Sequence, residues 1–335
     1  MAAKAPAFWQ GRGLRAQLLR PLSLLFALLA RRRRAAAEPQ RLPVPVIVVG
    51  NIAVGGSGKT PVVDWLAGVL RAAGHRPGIV SRGHGGQVSA QGGVARVPAD
   101  GDPARYGDEP VLLARLTGCP LVIGRDRPAA ARELLRLHPE CDVLIADDGM
   151  QHYRLARDVE VAVVDDATLG NRLLLPAGPL REPLARLAEV DLVLAHCEPG
   201  ADVIAAAGAI PVFRMRLAGG ELIALDGSRR SRPAAELRGQ RAHAVAGIGR
   251  PQRFFDQLAG EGIEVVPHPF PDHHRFVAGD LEFGDALPIL MTAKDAVKCA
   301  AFAPADCWEY PVRAQIGSGA AERILEKLED GRTTA

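Results

Sequence analysis

Short apolar runs alternate with stretches of helical period along most of the chain. The runs Val44–Val49, Pro77–Ser81, Pro120–Ile123, Val143–Ala146, Val159–Val164 and Leu192–Ala195 are apolar at nearly every position, the pattern of strands covered on both faces. Between them, Lys59–Ala73, Glu109–Thr117 and Arg127–Leu137 read as helices. This alternation predicts a doubly wound, mostly parallel sheet of the α/β class. From about Leu217 the texture changes. Short strands at Leu222–Leu225, Ala242–Ala246, Glu264–Val266 and Pro288–Met291 alternate with helices at Pro251–Leu258, Ala293–Ala301 and Ala320–Leu328. These predict a second, smaller α/β unit.

The N-terminal pattern is different. Leu18–Ala30 is largely apolar, with Arg12, Arg15 and Arg20 on or before it and Arg31–Arg34 directly after. The uninterrupted part, Pro21–Ala30, is well short of the ~20 residues of a spanning helix. A secretory signal is opposed by four arginines just after the apolar core. Cations flanking an apolar run suit a helix lying on an anionic membrane surface. A helix that simply packs on the domain is the alternative.

Composition narrows the picture. At 335 residues the chain has room for about two domains. With 48% apolar and 24% charged residues it is globular, not disordered. A net charge of +3 gives no reason to expect a nucleic-acid partner. Five cysteines, an odd number without a C-x-x-C pair, read as reduced thiols and not as a disulfide framework or zinc site. Oligomeric state leaves no mark on the sequence.

The strongest chemical signal runs from Gly50 to Thr60, between a strand and a helix. Gly58-Lys59-Thr60 matches the end of the phosphate-loop pattern G-x-x-x-x-G-K-[ST], while Ala53 stands where its first glycine is usual and Gly55 and Gly56 lie inside the loop. The backbone of Ala53, Val54, Gly55, Gly56, Ser57 and Gly58 is expected to turn its N–H groups onto the phosphates of ATP. Lys59 is expected to bridge the terminal phosphates and Thr60 to hold Mg²⁺ through its hydroxyl. Such a domain works where ATP is, so export is excluded on physical grounds too.

Ligands of open α/β sheets sit beyond the carboxyl ends of the strands. Val143–Ala146 delivers Asp147-Asp148 there, a natural partner for Mg²⁺. Asp108-Glu109-Pro110 opens a helix, where an N-cap and a catalytic acid are equally good readings. Arg125 and Arg127 are phosphate-clamp or surface-ion-pair candidates. Ser81–Gly86 is glycine-rich and suits a loop over the site. On residue type alone, His273 and His274 read as structural.

Taken together, Gly50-Asn-Ile-x-x-Gly-Gly-x-Gly-Lys-Thr-Pro61, Ser81-Arg-Gly-x-Gly-Gly86, Gly107-Asp-Glu-Pro110, Asp147-Asp-Gly-x-Gln-His-Tyr-Arg154, Leu175-Pro-Ala-Gly-Pro-Leu-Arg-Glu182 and Pro271-Asp-His273 resemble the tetraacyldisaccharide 4′-kinase family of lipid A biosynthesis. The resemblance covers nearly the whole chain, and alanine at the loop's first glycine is part of it. It implies a P-loop NTPase-like kinase domain over residues 39–216, preceded by an N-terminal basic and apolar membrane-surface helix within 1–38. A smaller C-terminal α/β domain over 217–335 would close the active-site cleft. The implied reaction moves the γ-phosphoryl group of ATP to the 4′-hydroxyl of a tetraacylated glucosamine disaccharide 1-phosphate, at the cytoplasmic face of the bacterial inner membrane. Carried over by position, Asp108 is the implied base, supported by His273, with Lys59 on the phosphates. Thr60, Glu109, Asp147 and Asp148 are implied around Mg²⁺. Arg127, Gln151, His152 and Arg181 are implied contacts to phosphate or sugar. Met150 and His84 stand where other hydrophobic or aromatic residues are common in the family. The rival readings are a P-loop ATPase coupled to a membrane partner without lipid phosphorylation, and a nucleotide-binding scaffold.

Overall fold

The fully apolar runs become buried strands because both of their faces meet helices. A computed structural model describes residues 6–228 and 230–333; residues 1–5, 229 and 334–335, which fall in the expected first and last units, lie outside the described residues. The strands are β1 (Val46–Gly50), β2 (Pro77–Ser81), β3 (Val94–Arg96), β4 (Leu121–Gly124), β5 (Val143–Asp147), β6 (Val159–Asp165), β7 (Leu192–His196) and β8 (Val212–Ala218). They are followed by β9 (Glu221–Ala224), β10 (Ser231–Pro233), β11 (Arg241–Ala246), β12 (Glu264–Pro269), β13 (Ile289–Thr292), β14 (Cys307–Tyr310) and β15 (Arg313–Ile316).

The larger sheet has nine strands in the order β15-β8-β7-β6-β1-β5-β2-β4-β3. Its seven inner strands are parallel, and the two edge strands β3 and β15 are antiparallel to their neighbours. Apolar clusters lie on both faces. The smaller sheet runs β10-β9-β14-β13-β11-β12. This is the doubly wound α/β architecture with a second, smaller sheet that the apolar pattern predicts. The chain order breaks at β1, which lies between β5 and β6, and Val49 stands in register with Asp147. The glycine-rich loop after β1 and the aspartates ending β5 therefore emerge side by side at a topological switch point.

The division at residue 217 differs from the observed chain path in one respect. The last strand and helix do not stay with the smaller unit. β15 pairs with β8 on the large sheet. Ala314, Ala320, Ile324 and Leu328, from β15 and the helix Ser318–Thr333, are buried in the large unit's core. The reason is the exposed edge of β8: a parallel sheet leaves unpaired N–H and C=O groups there, and β15 takes them.

The N-terminal helix runs from Leu14 to Ala35. Leu14, Leu18, Leu22, Leu24, Leu25, Leu28 and Leu29 are all 48–76% exposed. At 100° per residue these seven fall within an arc of roughly 160°. The helix residues that are buried, Ala16 and Ser23, lie on the opposite side. There the Ser23 hydroxyl donates to the Leu174 carbonyl at 2.8 Å and accepts from the Ala177 N–H at 3.2 Å. The helix is thus docked by its small residues and turns its leucines outward. No helix among the described residues is long and apolar enough to cross a membrane.

Candidate active site

The loop after β1 is held by its own short-range bonds. The Asn51 amide donates to the Gly55 carbonyl at 3.3 Å and to the Ser57 hydroxyl at 3.2 Å. The Val54 N–H donates to the Pro179 carbonyl, the Arg181 N–H donates to the Ile52 carbonyl, and Ala53 forms an antiparallel bridge with Leu180. That bridge explains the alanine. Extended backbone accepts a Cβ, so no glycine is needed at position 53. Glycine is needed at Gly58, with φ +87° and a would-be Cβ 3.0 Å from Met215 Cε. The helix Lys59–Ala72 starts directly after it. Its first-turn N–H groups have no intrahelical partner and favour an anion.

The two aspartates after β5 sit in opposite environments. Asp147 is 4% exposed and accepts from the Ser81 hydroxyl at 2.8 Å. Burial, together with the nearby Glu109 and Asp148 charges, pushes its carboxyl up to about 6. Asp148 has a positive φ of 48°, a conformation aspartate tolerates. It lies 3.5 Å from Lys59 Nζ and 3.3 Å from Arg181 Nη1. Burial opposes its ionisation, but those two cations outweigh burial and hold its carboxyl well below the usual range.

A second acidic group comes from the helix Asp108–Thr117. Gly107 precedes it with φ +96°, and a Cβ there would lie 2.6 Å from the His84 carbonyl, so the helix starts tight against the Ser81–Gly86 loop. Asp108 is 6% exposed, and His273 Nδ1 lies 3.0 and 3.2 Å from its two oxygens. Burial alone would raise the Asp108 carboxyl; the His273 bond and the Lys294 charge reverse that and bring it to about 2. The same bond raises His273 against burial and Lys294. The His84 ring stands edge-on to His273, with centroids 5.5 Å apart. His274 instead bonds Asp280 at 2.9 Å, the structural role its residue type suggests.

The remaining candidates divide by their partners. Gln151 donates to the Asn51 carbonyl at 3.0 Å and to Glu182 at 2.6 Å, and accepts from Arg181 at 3.3 Å. Arg127 is 1% exposed and donates to the Gly124 carbonyl at 2.6 Å and the Asp147 carbonyl at 3.3 Å, so it ties the ends of β4 and β5. Burial lowers its pKa to about 10, against the pull of the Asp147 and Asp148 charges. Its terminal nitrogens thus already serve backbone carbonyls, while its buried Nε has no partner. Burial, then Arg127 and Arg82, push His152 down to about 3, which keeps its ring neutral. Arg33, Arg82, Arg125, Arg127, His152 and Arg154 line a cavity of about 460 Å³ at the foot of the N-terminal helix. Glu109 turns to Lys294 at 3.3 Å. Residue reasoning assigned no role to Lys294, Asn51, Ser81 or Glu182. Asn51, Ser81 and Glu182 lie inside the motifs quoted above, and Lys294 carried a signal of its own, a lysine in the first turn of a helix, where the macrodipole disfavours it.

A phosphate loop opening a helix, acidic side chains at the neighbouring strand end and a buried acid–histidine pair define a phosphotransferase on a P-loop NTPase-like fold. The family model described as tetraacyldisaccharide-1-P 4′-kinase matches residues 15–329, and the chain belongs to that family. The tetraacyldisaccharide 4′-kinase of Azoarcus sp. (strain BH72) is 65% identical over 99% of this chain and 97% of its own length. That of Aromatoleum aromaticum is 61% identical over the full length of both (100%). The crystal structure of the "apo" form of LpxK from Aquifex aeolicus in complex with ATP matches with a TM-score of 0.77 at 29% identity, covering 94% of this chain and 100% of that one.

Proposed function

We propose that this ATP-dependent kinase phosphorylates the 4′-hydroxyl of a tetraacylated disaccharide 1-phosphate with Asp108 as the proton acceptor. The observation that carries the residue assignment is the buried, ionised Asp108 bound to His273. Lys59 and the N-terminus of its helix hold the β- and γ-phosphates. The acceptor oxygen forms a bond to the γ-phosphorus, the bond from that phosphorus to the β–γ bridging oxygen breaks, and the hydroxyl proton passes to Asp108 as ADP leaves. A carboxyl near 2 is a weak base. That suits a loose transition state, in which the nucleophile loses its proton late. Arg181, 3.3 Å from Asp148, is placed to offset charge on the transferring group.

Thr60, Asp147 and Asp148 are hard oxygen donors, the chemistry that suits Mg²⁺. The raised Asp147 carboxyl is a group that a cation relieves. Among the described residues no group of three acidic, histidine or cysteine side chains is placed to hold a metal ion, so Thr60, Asp147 and Asp148 would hold Mg²⁺ together with the nucleotide. When bound, Mg²⁺ neutralises charge on the β- and γ-oxygens. Glu109 adds to the negative charge at Asp147, while its own carboxylate pairs with Lys294.

The outward leucine face supports attachment to the cytoplasmic membrane surface, where an acceptor with four acyl chains resides. The arginine-lined cavity beside it suits an anionic, membrane-borne acceptor. The test is incubation with γ-labelled ATP and the disaccharide lipid in mixed micelles. Label at the 4′-position of the lipid is expected. ATP consumption with unlabelled lipid would return the reading to a coupled ATPase.

A further inference from the structure

Lys294 lies in the first turn of the helix Ala293–Cys299, at the mouth of the smaller sheet. That helix packs against Asp108–Thr117 of the larger unit. The Lys294 side chain is only 15% exposed. An ammonium has three protons, and three acceptors surround this one. Asp272 Oδ1 is at 3.2 Å, Glu109 Oε1 at 3.3 Å and His273 Nε2 at 3.4 Å. Asp108 Oδ2 stands slightly farther, at 3.8 Å. Asp108 and Glu109 belong to the unit that carries the phosphate loop; Asp272 and His273 belong to the smaller one. One buried cation therefore joins the two units at the reacting acid.

The contact with Nε2 adds chemical content. On a neutral ring, Nε2 meets the lysine, which can only donate, as an acceptor with its lone pair occupied. The ring proton then resides on Nδ1 and is donated to Asp108. Held at both nitrogens, the ring has one orientation and one tautomer. Nε2 is closed to a substrate proton as long as Lys294 stays, while Asp108 keeps unused lone pairs.

We propose that Lys294 is a positioning residue that locks His273 across the cleft, so that Asp108, and not a histidine relay, receives the acceptor's proton. This rests on the reading of Asp108 given above. The test combines three variants of the full-length enzyme with nitrogen NMR of labelled histidine. Lys294→Met is expected to lower kcat roughly tenfold or more, a fraction of what a general base contributes, with KM for ATP within about twofold. Lys294→Gln keeps a donor for Nε2, and Lys294→Arg keeps donor and charge; each is expected to recover part of the loss. In the unmodified enzyme, His273 Nε2 is expected to read as an unprotonated acceptor. A protonated Nε2, a kcat for Lys294→Met within twofold of the unmodified enzyme, or a glutamine variant no better than methionine overturns the proposal. If the methionine variant melts early, the glutamine variant and the Nε2 signal still decide it. If the unmodified enzyme labels no lipid, the kinase reading fails, while the Nε2 signal still tests the lock.

Discussion

The two halves of the cleft are built in opposite ways. The nucleotide half is one continuous stretch, Gly50 to Thr60, held by hydrogen bonds to its own residues and to the Pro179–Arg181 segment. The acceptor half joins Asp108 and His273, 165 residues apart in the chain and carried by different units. The first depends on backbone shape, and it tolerates alanine at position 53 because that residue is extended. The second depends on side-chain charge in a buried setting, where each missing partner leaves another uncompensated. On the mechanism proposed above, triphosphate binding is the business of one unit and chemistry requires both.

The sharpest way to break this comparison is Asp108→Ala. It should lower kcat by roughly 10²–10⁴ and leave the ATP dissociation constant within a few-fold, measured by turnover and calorimetry. A parallel loss of ATP affinity would show that the halves are not separable. Next in size, changing Leu18, Leu22, Leu25 and Leu29 together to Gln should weaken vesicle binding by at least about tenfold, since each leucine contributes on the order of 1 kcal/mol or more when buried in lipid. ATP binding should persist, and equal flotation of both proteins would remove the leucine face from membrane attachment.

Asp147 separates stability from function. Its carboxyl is raised from 3.8 to about 6. Between those values the folded state holds more protons than the unfolded one, so this residue's contribution improves as pH falls through that window. Above it, the ionised, buried group is a cost. Asp147→Asn should therefore stabilise the nucleotide-free protein at pH 8 by about 1–3 kcal/mol, with the two melting curves converging near pH 4, and should lose turnover with Mg²⁺ and ATP. Lower stability of the variant at pH 8 would contradict the buried-charge account. Asp108 has the opposite sign. Its depressed carboxyl adds stability above 3.8 that is lost as pH falls toward 2. The smallest effect is expected from Ser23→Ala, about 0.5–1.5 kcal/mol for the lost bonds to the Leu174–Ala177 turn. It is read as faster proteolysis after Arg31–Arg34, and unchanged cleavage would mean the helix is held by other contacts.

Strands with both faces covered were legible because nearly every position is apolar: β2 runs from Pro77 to Ser81 as expected, and β1, β5, β6 and β7 lie within one or two residues of their expected bounds. β3, β8, β10, β14 and β15 were not expected. β8 alternates Val212-Phe-Arg-Met-Arg-Leu, a half-buried pattern, and β15 has only four residues. Their identity depends on which edge they pair with, and no local window contains that. The site divides in the same way. Lys59, Thr60 and Asp147-Asp148 stand out by spacing and strand position. Asp108 reads equally well as an N-cap, and His273 as an ordinary loop histidine, until the two meet.

The sequence by itself determined the phosphate loop and the central parallel strands. Each is a local matter of glycine conformation, residue period or the absence of polar groups, and so is written in contiguous residues. Only the tertiary structure decided that the chain end returns to the large sheet and that Arg127 serves backbone carbonyls. It alone showed that Lys294 sits among Glu109, Asp272 and His273. Those outcomes depend on desolvation and on groups brought together from distant parts of the chain, and both arise only when the chain folds.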